Sequence, residues 1–388
     1  MEIYLVGGAV RDTLLGLPVK DRDWVVVGAT PEQMLAHGFV PVGKDFPVFL
    51  HPRTKEEYAL ARTERSTAPG YKGFAFHAAP DVTLEQDLAR RDLTINAIAV
   101  ARARLAPDGS FDPGTTRLED PFHGQRDLAL RLLRHVTDAF HDDPVRILRV
   151  ARFAARFADF RVAGETLALM RSMVEGGEAD ALVAERVWQE LARGLMEDTP
   201  SRMLHVLSDC NALPRLLPEL CEGQAVTGAA LIDRAARDRS ALPVRFACLC
   251  RAVHDAARLE GMCARLRVPN DCRDLALLAQ REALAVQRSG SLDAMGLLAL
   301  LERCDALRKP ARFHDLLQVC ALSAGVEVGT PGAAYAPREQ LRVALAAVLE
   351  VPTAGIARQA MAEGKSGPAI GAVIHAARVQ ALAAARRR

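Results

Sequence analysis

The sequence predicts an α+β fold: a small mixed sheet with helices, followed by an all-helical remainder. Three observations carry this. Short β-branched runs separated by turn residues fill the first 137 positions. From Asp143 onward the pattern changes to long Ala-, Leu- and Arg-rich stretches. A glycine pair, Gly7-Gly8, joins the first apolar run to a basic helix start.

The elements follow in order. Residues 1–6, 24–27, 48–50, 58–61 and 95–100 read as strands, rich in Val, Ile, Tyr and Leu. Residues 30–37, just after Gly28, read as a short helix. Pro69-Gly70-Tyr71-Lys72-Gly73 reads as a mobile loop, and Gly109, Asp112-Pro113-Gly114 and Pro121 mark turns. Asp142 or Asp143 caps a helix with Pro144 at its first position. Breaks at Asn211-Ala212-Leu213-Pro214 and Leu217-Pro218 interrupt the helical part. Gly, Thr and Pro between 325 and 337 mark a loop before a helical tail. The expected division is 1–137, 138–224, 225–325 and 326–388.

With 388 residues the chain is long enough for several cored units. A net charge of +2 argues against a nonspecific nucleic-acid coat and leaves room for a localised basic groove. No run of membrane-spanning length and no signal-peptide pattern is apparent, so a cytoplasmic location without a membrane partner is expected. All eight cysteines lie in the C-terminal half, none in a Cys-x-x-Cys pair, and read as reduced thiols packed in helices.

Asp21-Arg22-Asp23 heads a β-branched run. A strand sets residues two apart on one face, about 6–7 Å from each other. Two such carboxylates suit oxygen-ligated Mg²⁺. A lone Asp-x-Asp is more often a solvated strand end. Here a glycine turn with Arg11 precedes it, and such turns let backbone amides approach phosphate. Glu64 is a candidate third carboxylate. In Arg90-Arg91-Asp92-Leu93-Thr94-Ile95-Asn96, Arg91 could bind phosphate or ribose and Asp92 could pair with an arginine; an ordinary ion pair before a strand is an equal reading.

Arg146, Arg149, Arg152 and Arg156 recur at spacings of three, three and four, on one helical face. With no acidic partner at i+4, a row facing a polyanion explains them better than helix pairing. Asp143 and Arg146 could offer an acceptor and a donor to a base edge. Residues 182–190, with Trp188, form an amphipathic stretch that fits packing at least as well as a substrate role.

At these residues the chain resembles the bacterial CCA-adding tRNA nucleotidyltransferases, the class II branch shared with poly(A) polymerases. The carrying motifs are Gly7-Gly8-x-x-Arg11-Asp12, Asp21-x-Asp23, Arg90-Arg91-Asp92-x-Thr94-x-Asn96 and Asp143-x-x-Arg146. Glu185-Arg186-Val187-Trp188 matches a later helix. The resemblance implies a nucleotidyltransferase head, then an all-α neck, body and tail. It implies addition of CCA to the tRNA 3′ end from CTP and ATP with Mg²⁺. Asp21 and Asp23 would be the metal ligands. Gly8, Arg11, Arg91, Arg149 and Arg152 would be nucleotide-contacting positions, and Asp143 with Arg146 would read the base. Residues 66–76 would be the loop of the C-to-A switch.

Two departures stand out. Asp142 occupies a position where this family usually has Glu. Arg251-Ala252 stands where the His-Asp of an HD phosphohydrolase domain is expected, and between 206 and 313 only His254 remains. An HD metal site needs several such ligands. Residues 225–325 therefore read as a degenerate HD-like domain without phosphohydrolase activity. Poly(A) polymerase, partial CC- or A-adding enzyme, and noncatalytic RNA-binding protein are the rival readings.

Overall fold

The computed structural model describes residues 1–42, 48–66, 74–221, 225–325 and 335–387, the side chains of 64–66, 74–77 and 225–227 excepted. Two compact units result, Met1–Leu216 and Leu217–Arg388.

The first unit opens with a six-stranded mixed sheet. Its strands are β1 (Glu2–Val6), β2 (Asp23–Val27), β3 (Val40–Val42), β4 (Val48–Leu50), β5 (Glu57–Leu60) and, after a hairpin of β6 (Arg62–Ser66) and β7 (Phe74–Ala78), β8 (Ala99–Ala101). The spatial order is β3-β4-β5-β2-β1-β8. Only β2 and β5 run parallel within it. Side chains alternate faces along β2. Val25 joins Val6, Ala61, Leu88, Ala97 and Ala99 in one buried cluster. Trp24, on the other face, stacks on Tyr58 with ring centroids 5.3 Å apart and planes 11° off parallel.

Helices α1 (Gly8–Leu14), α2 (Pro31–Ala36), α3 (Leu84–Ala89) and α4 (Gly124–Ala129) accompany the sheet. Thr30 and Thr83 start α2 and α3 with full capping boxes, each matched by a glutamine three residues on. A small parallel pair, β9 (Leu132–Leu133) with β10 (Arg161–Val162), flanks α5 (Val145–Arg156). Then come α6 (Gly164–Glu175), α7 (Ala184–Leu195), α8 (Ser201–Asp209) and α9 (Leu213–Leu216). Helix α5 packs on α7 and α8. Its Ile147, Leu148, Val150 and Phe153 are buried, each stabilising the contact by roughly 1.5–3 kcal/mol.

The expected strand at 95–100 splits. Thr94–Asn96 forms a 3₁₀ turn before β8, because the Asn96 side chain is held by its neighbours rather than projecting from a pleat. The loop expected at 69–73 lies outside the described residues.

The second unit is helical: α10 (Ala225–Arg237), α11 (Leu242–Cys250), α12 (Ala256–Arg265), α13 (Asn270–Gln287), α14 (Ala294–Arg303), α15 (Pro310–Ser323), α16 (Ala336–Leu349), α17 (Thr353–Ala362) and α18 (Gly367–Ala385). Helix α11 packs on α10, α13 and α15. All eight cysteines are free thiols, and all but Cys221 are buried. Burial pushes the Cys248 and Cys320 thiols up to about 12. Asp255 caps α12 by accepting from the Arg258 amide at 3.0 Å. One expectation needs correction. Helix α18 is long and apolar enough to cross a membrane by length and composition, although it packs on α14, α16 and α17. Its apolar residues, eight alanines with Ile370, Val373, Ile374, Val379 and Leu382, are interrupted by His375, Arg378 and Gln380 and so do not read as one hydrophobic run.

Candidate active site

The acidic pair sits where β1 and β2 end together. Val6 pairs with Asp23, and on the other side Asp23 pairs with Glu57. This register sets Asp23 beside the Gly7 turn. Asp21 is not in the strand, contrary to the spacing argument. Gly7 turns β1 away with φ +70°, so the residues before Asp23 have no strand to pair with there. Asp21 and Asp23 are both exposed. Partial desolvation raises the Asp23 pKa; the Arg91 guanidinium opposes this, and the charge of Asp21 adds to it. At Gly7 a Cβ atom would lie 3.1 Å from an Arg91 nitrogen. Glycine is therefore required there by both conformation and close approach.

Arg91 is held by the helix that precedes it. Asp87 on α3 is fully buried. It accepts from the Arg62 amide at 3.3 Å, from Arg90 at 2.7 and 3.1 Å, and from Arg91 at 3.2 Å. Burial would raise its pKa, but the two guanidinium groups outweigh that and lower it. Asp92 is buried too. It accepts from its neighbour's amide (Leu93, 2.9 Å), from Asn96 at 2.9 Å and from Arg149 at 2.7 Å. Against its burial, Arg149, Asn96 and Arg146 hold its carboxyl well below the usual range.

Arg11 is only 3% exposed. Its guanidinium donates to Asp12 at 2.8 Å and Asn96 at 2.6 Å, and lies 5.2 Å from the ring centroids of both Phe153 and Phe157. Arg11 thus forms a buried strut between α1, the Asn96 turn and α5.

The arginine row on α5 is not bare. Acidic partners come from other elements, out of reach of an i+4 search. Arg149 pairs with Asp92, Arg152 with Glu190 on α7 at 2.6 Å, and Arg156 with Asp12 at 2.8 Å. Arg146 donates to the Ala139 carbonyl at 2.6 Å. Asp143 has extended backbone and accepts from the Val145 amide at 3.2 Å, just ahead of α5, whose N-cap position is Pro144. Its carboxylate is also gripped by both terminal nitrogens of Arg186 on α7, at 2.9 and 2.7 Å.

These residues line one open cavity of about 440 Å³. Arg91, Asp143, Arg146 and Arg149 are brought together there, with Arg62, Arg90, Asp92, Arg186, Gln189, Glu190 and Arg193. Gly8, Arg11 and Arg152 do not line it. Asp23 is within electrostatic reach of Arg91, which lines the cavity, and of Asp21. Sequence reasoning missed Asp87 and left Arg186 and Glu190 to packing. The available signal was the spacing of Arg186, Glu190 and Arg193 by four and three, which sets Glu190, opposite in sign to the α5 row, on one helical face with two further arginines. The Glu64 side chain lies outside the described residues.

A family model described as the poly A polymerase head domain matches residues 3–134. Another, the probable RNA and SrmB-binding site of polymerase A, matches 159–223. The multifunctional CCA protein of Variovorax paradoxus (strain S110) is 56% identical over 419 aligned residues, covering 99% of both chains. That of Polaromonas naphthalenivorans (strain CJ2) is 54% identical and covers 98% of both. The chain belongs to the multifunctional CCA protein family. Solved structures carry this family's fold at low identity. The Bacillus stearothermophilus CCA-adding enzyme in complex with CTP superposes with a TM-score of 0.72 at 23% identity, over 99% of this chain and 89% of that one. The Thermotoga maritima CCA-adding enzyme complexed with tRNA-CCA gives 0.67 at 23%, over 99% and 87%.

Proposed function

We infer that this chain adds C, C and A to the 3′ end of tRNA from CTP and ATP, without a nucleic-acid template. One observation carries the assignment to this site: Arg91 joins two features. It acts electrostatically on Asp23 and lines the cavity that contains Asp143, Arg146 and Arg149.

The family implies a divalent metal, and the acidic pair suits Mg²⁺. Its donors are hard carboxylate oxygens, and Asp23 is made reluctant to ionise by desolvation and by Asp21, a tension that a cation relieves. Bound by Asp21 and Asp23, Mg²⁺ supplies activation of the attacking hydroxyl and offsets triphosphate charge. The chain's own residues do the rest. Arg91 and Arg149 bind the phosphates, and the Gly7-Gly8 turn lets the backbone come close to them. Asp143 accepts from the exocyclic amino group of cytosine or adenine, and Arg146 donates to the ring. Arg11 and Arg152 act indirectly, by fixing Asn96 and Glu190.

Residues 1–137 serve as the catalytic head and 138–224 as the nucleotide-selecting neck and body. Residues 225–325 serve as a degenerate HD-like scaffold and 326–388 as a tail. The helical part takes the acceptor arm by shape and phosphate contacts, in the cytoplasm. The test is incubation of tRNA lacking its 3′ end with each nucleotide. Wild type yields a complete CCA end. Asp21→Ala yields none while its tryptophan-monitored unfolding is unchanged. A long A-tail would assign a poly(A) polymerase, and arrest after CC a partial enzyme. Normal incorporation by Asp21→Ala would refute the catalytic assignment.

A further inference from the structure

We propose that Arg186 is a specificity-determining positioning residue that limits Asp143 to a single open acceptor site. This rests on the reading of Asp143 as the group facing the nucleotide base. An ionised carboxylate has about four acceptor positions, two on each oxygen. On Asp143, Oδ1 is occupied twice, by Arg186 at 2.9 Å and by the Val145 amide at 3.2 Å. Oδ2 accepts from the other Arg186 nitrogen at 2.7 Å. One position remains, on Oδ2, where Asp143 forms part of the cavity wall.

Two consequences follow from that geometry. The planar fork of Arg186 fixes the plane of the carboxylate, as only a guanidinium can. Its two N–H donors also fill acceptor positions on both oxygens, so Asp143 presents its remaining acceptor in one fixed direction. Cytosine and adenine both carry an exocyclic amino donor at the corresponding edge, whereas uracil and guanine carry a carbonyl acceptor there. A fixed carboxylate with one acceptor position therefore takes one N–H of either correct base. It repels either wrong one. A freely rotating Asp143 would lose that selection, since its acceptor positions would no longer be aimed at one edge of the base. Arg186 itself need not touch the nucleotide.

The experiment compares CTP with UTP, and ATP with GTP, using the full chain, Mg²⁺ and tRNA lacking the relevant 3′ nucleotides. In Arg186→Gln the kcat/KM ratio of CTP over UTP should fall about tenfold or more, the weight of one well-oriented charge-assisted hydrogen bond. The loss should come from weaker CTP use with UTP use retained or raised. Arg186→Lys, which keeps the charge without the fork, should fall between. Equal losses for both nucleotides, or unchanged ratios in both variants, would overturn the clamp. If Arg186→Gln does not fold, the Arg186→Lys ratio decides alone. Asp143→Ala separates the two levels: if its ratio matches wild type, the base-reading assignment fails rather than the clamp.

Discussion

Truncating Glu190 to alanine leaves a buried guanidinium without its closest counter-charge. The Arg152 and Glu190 side chains are 11% and 6% exposed and meet at 2.6 Å. Breaking such a buried pair from one side costs about 3–5 kcal/mol. Glu197 remains 3.8 Å from Arg152, and the Phe153 ring centroid lies 4.7 Å from its guanidinium. Those contacts place the expected loss at the low end, about 3 kcal/mol. Arg193 also loses a partner, but its side chain is 54% exposed, so that adds little. The chain's two tryptophans, Trp24 and Trp188, both lie in the first unit. Urea unfolding followed by tryptophan fluorescence therefore reports on that unit. With a slope of roughly 2–3 kcal/mol per molar, the midpoint should fall by about 1–1.5 M. Replacing both partners, Arg152→Met with Glu190→Met, should recover most of the loss, because it leaves no buried charge. A double variant as unstable as Glu190→Ala, or a midpoint shift within error, would refute the argument.

Other predictions follow from single observations. Gly7→Ala should strain the turn by about 1–3 kcal/mol and push Arg91 aside; kcat/KM should fall at least tenfold, measured as CTP incorporation. Asp92 has a folded-state pKa below its unfolded one, near 3.9. The stability it contributes is complete above that value and is lost as pH falls through it toward the folded pKa. Asp92→Asn should thus flatten the acid limb of a stability–pH profile between about pH 5 and 2, and an unchanged limb would count against the pairing. In thiol titration at pH 8 the native protein should show a single fast cysteine, Cys221, and all eight should react after denaturation.

The legible parts of the molecule were those written locally. The segment 30–37 after Gly28 announced α2, the β-branched residues of β2 announced a strand, and Asp143 with Pro144 announced the start of α5. The arginine row was legible as a face. What it faced was not, because its partners Asp92, Glu190 and Asp12 lie 38 to 144 residues away. The same distance hid the role of Arg11. The family resemblance implied a nucleotide contact for it, but a sequence cannot show that Asn96, Phe153 and Phe157 close around it. Asp21 was placed in a strand because alternation says where a strand can run, not where its neighbour stops. Asp87 carried no signal, being one acidic residue among several on a short helix.

The pairing of Val6 with Asp23 makes the chemistry depend on register. Shift β2 by one position and Trp24 takes the place of Asp23, while the acid turns into the aromatic stack with Tyr58. Insertions or deletions between α1 and β2 can therefore persist only where the loop absorbs them without moving the strand. The Trp24–Tyr58 stack, on the face away from the acidic pair, works as an indexing pin for it. Mutational scans of this head should find Trp24 as intolerant as the carboxylate beside it, for reasons of alignment and not of contact with substrate.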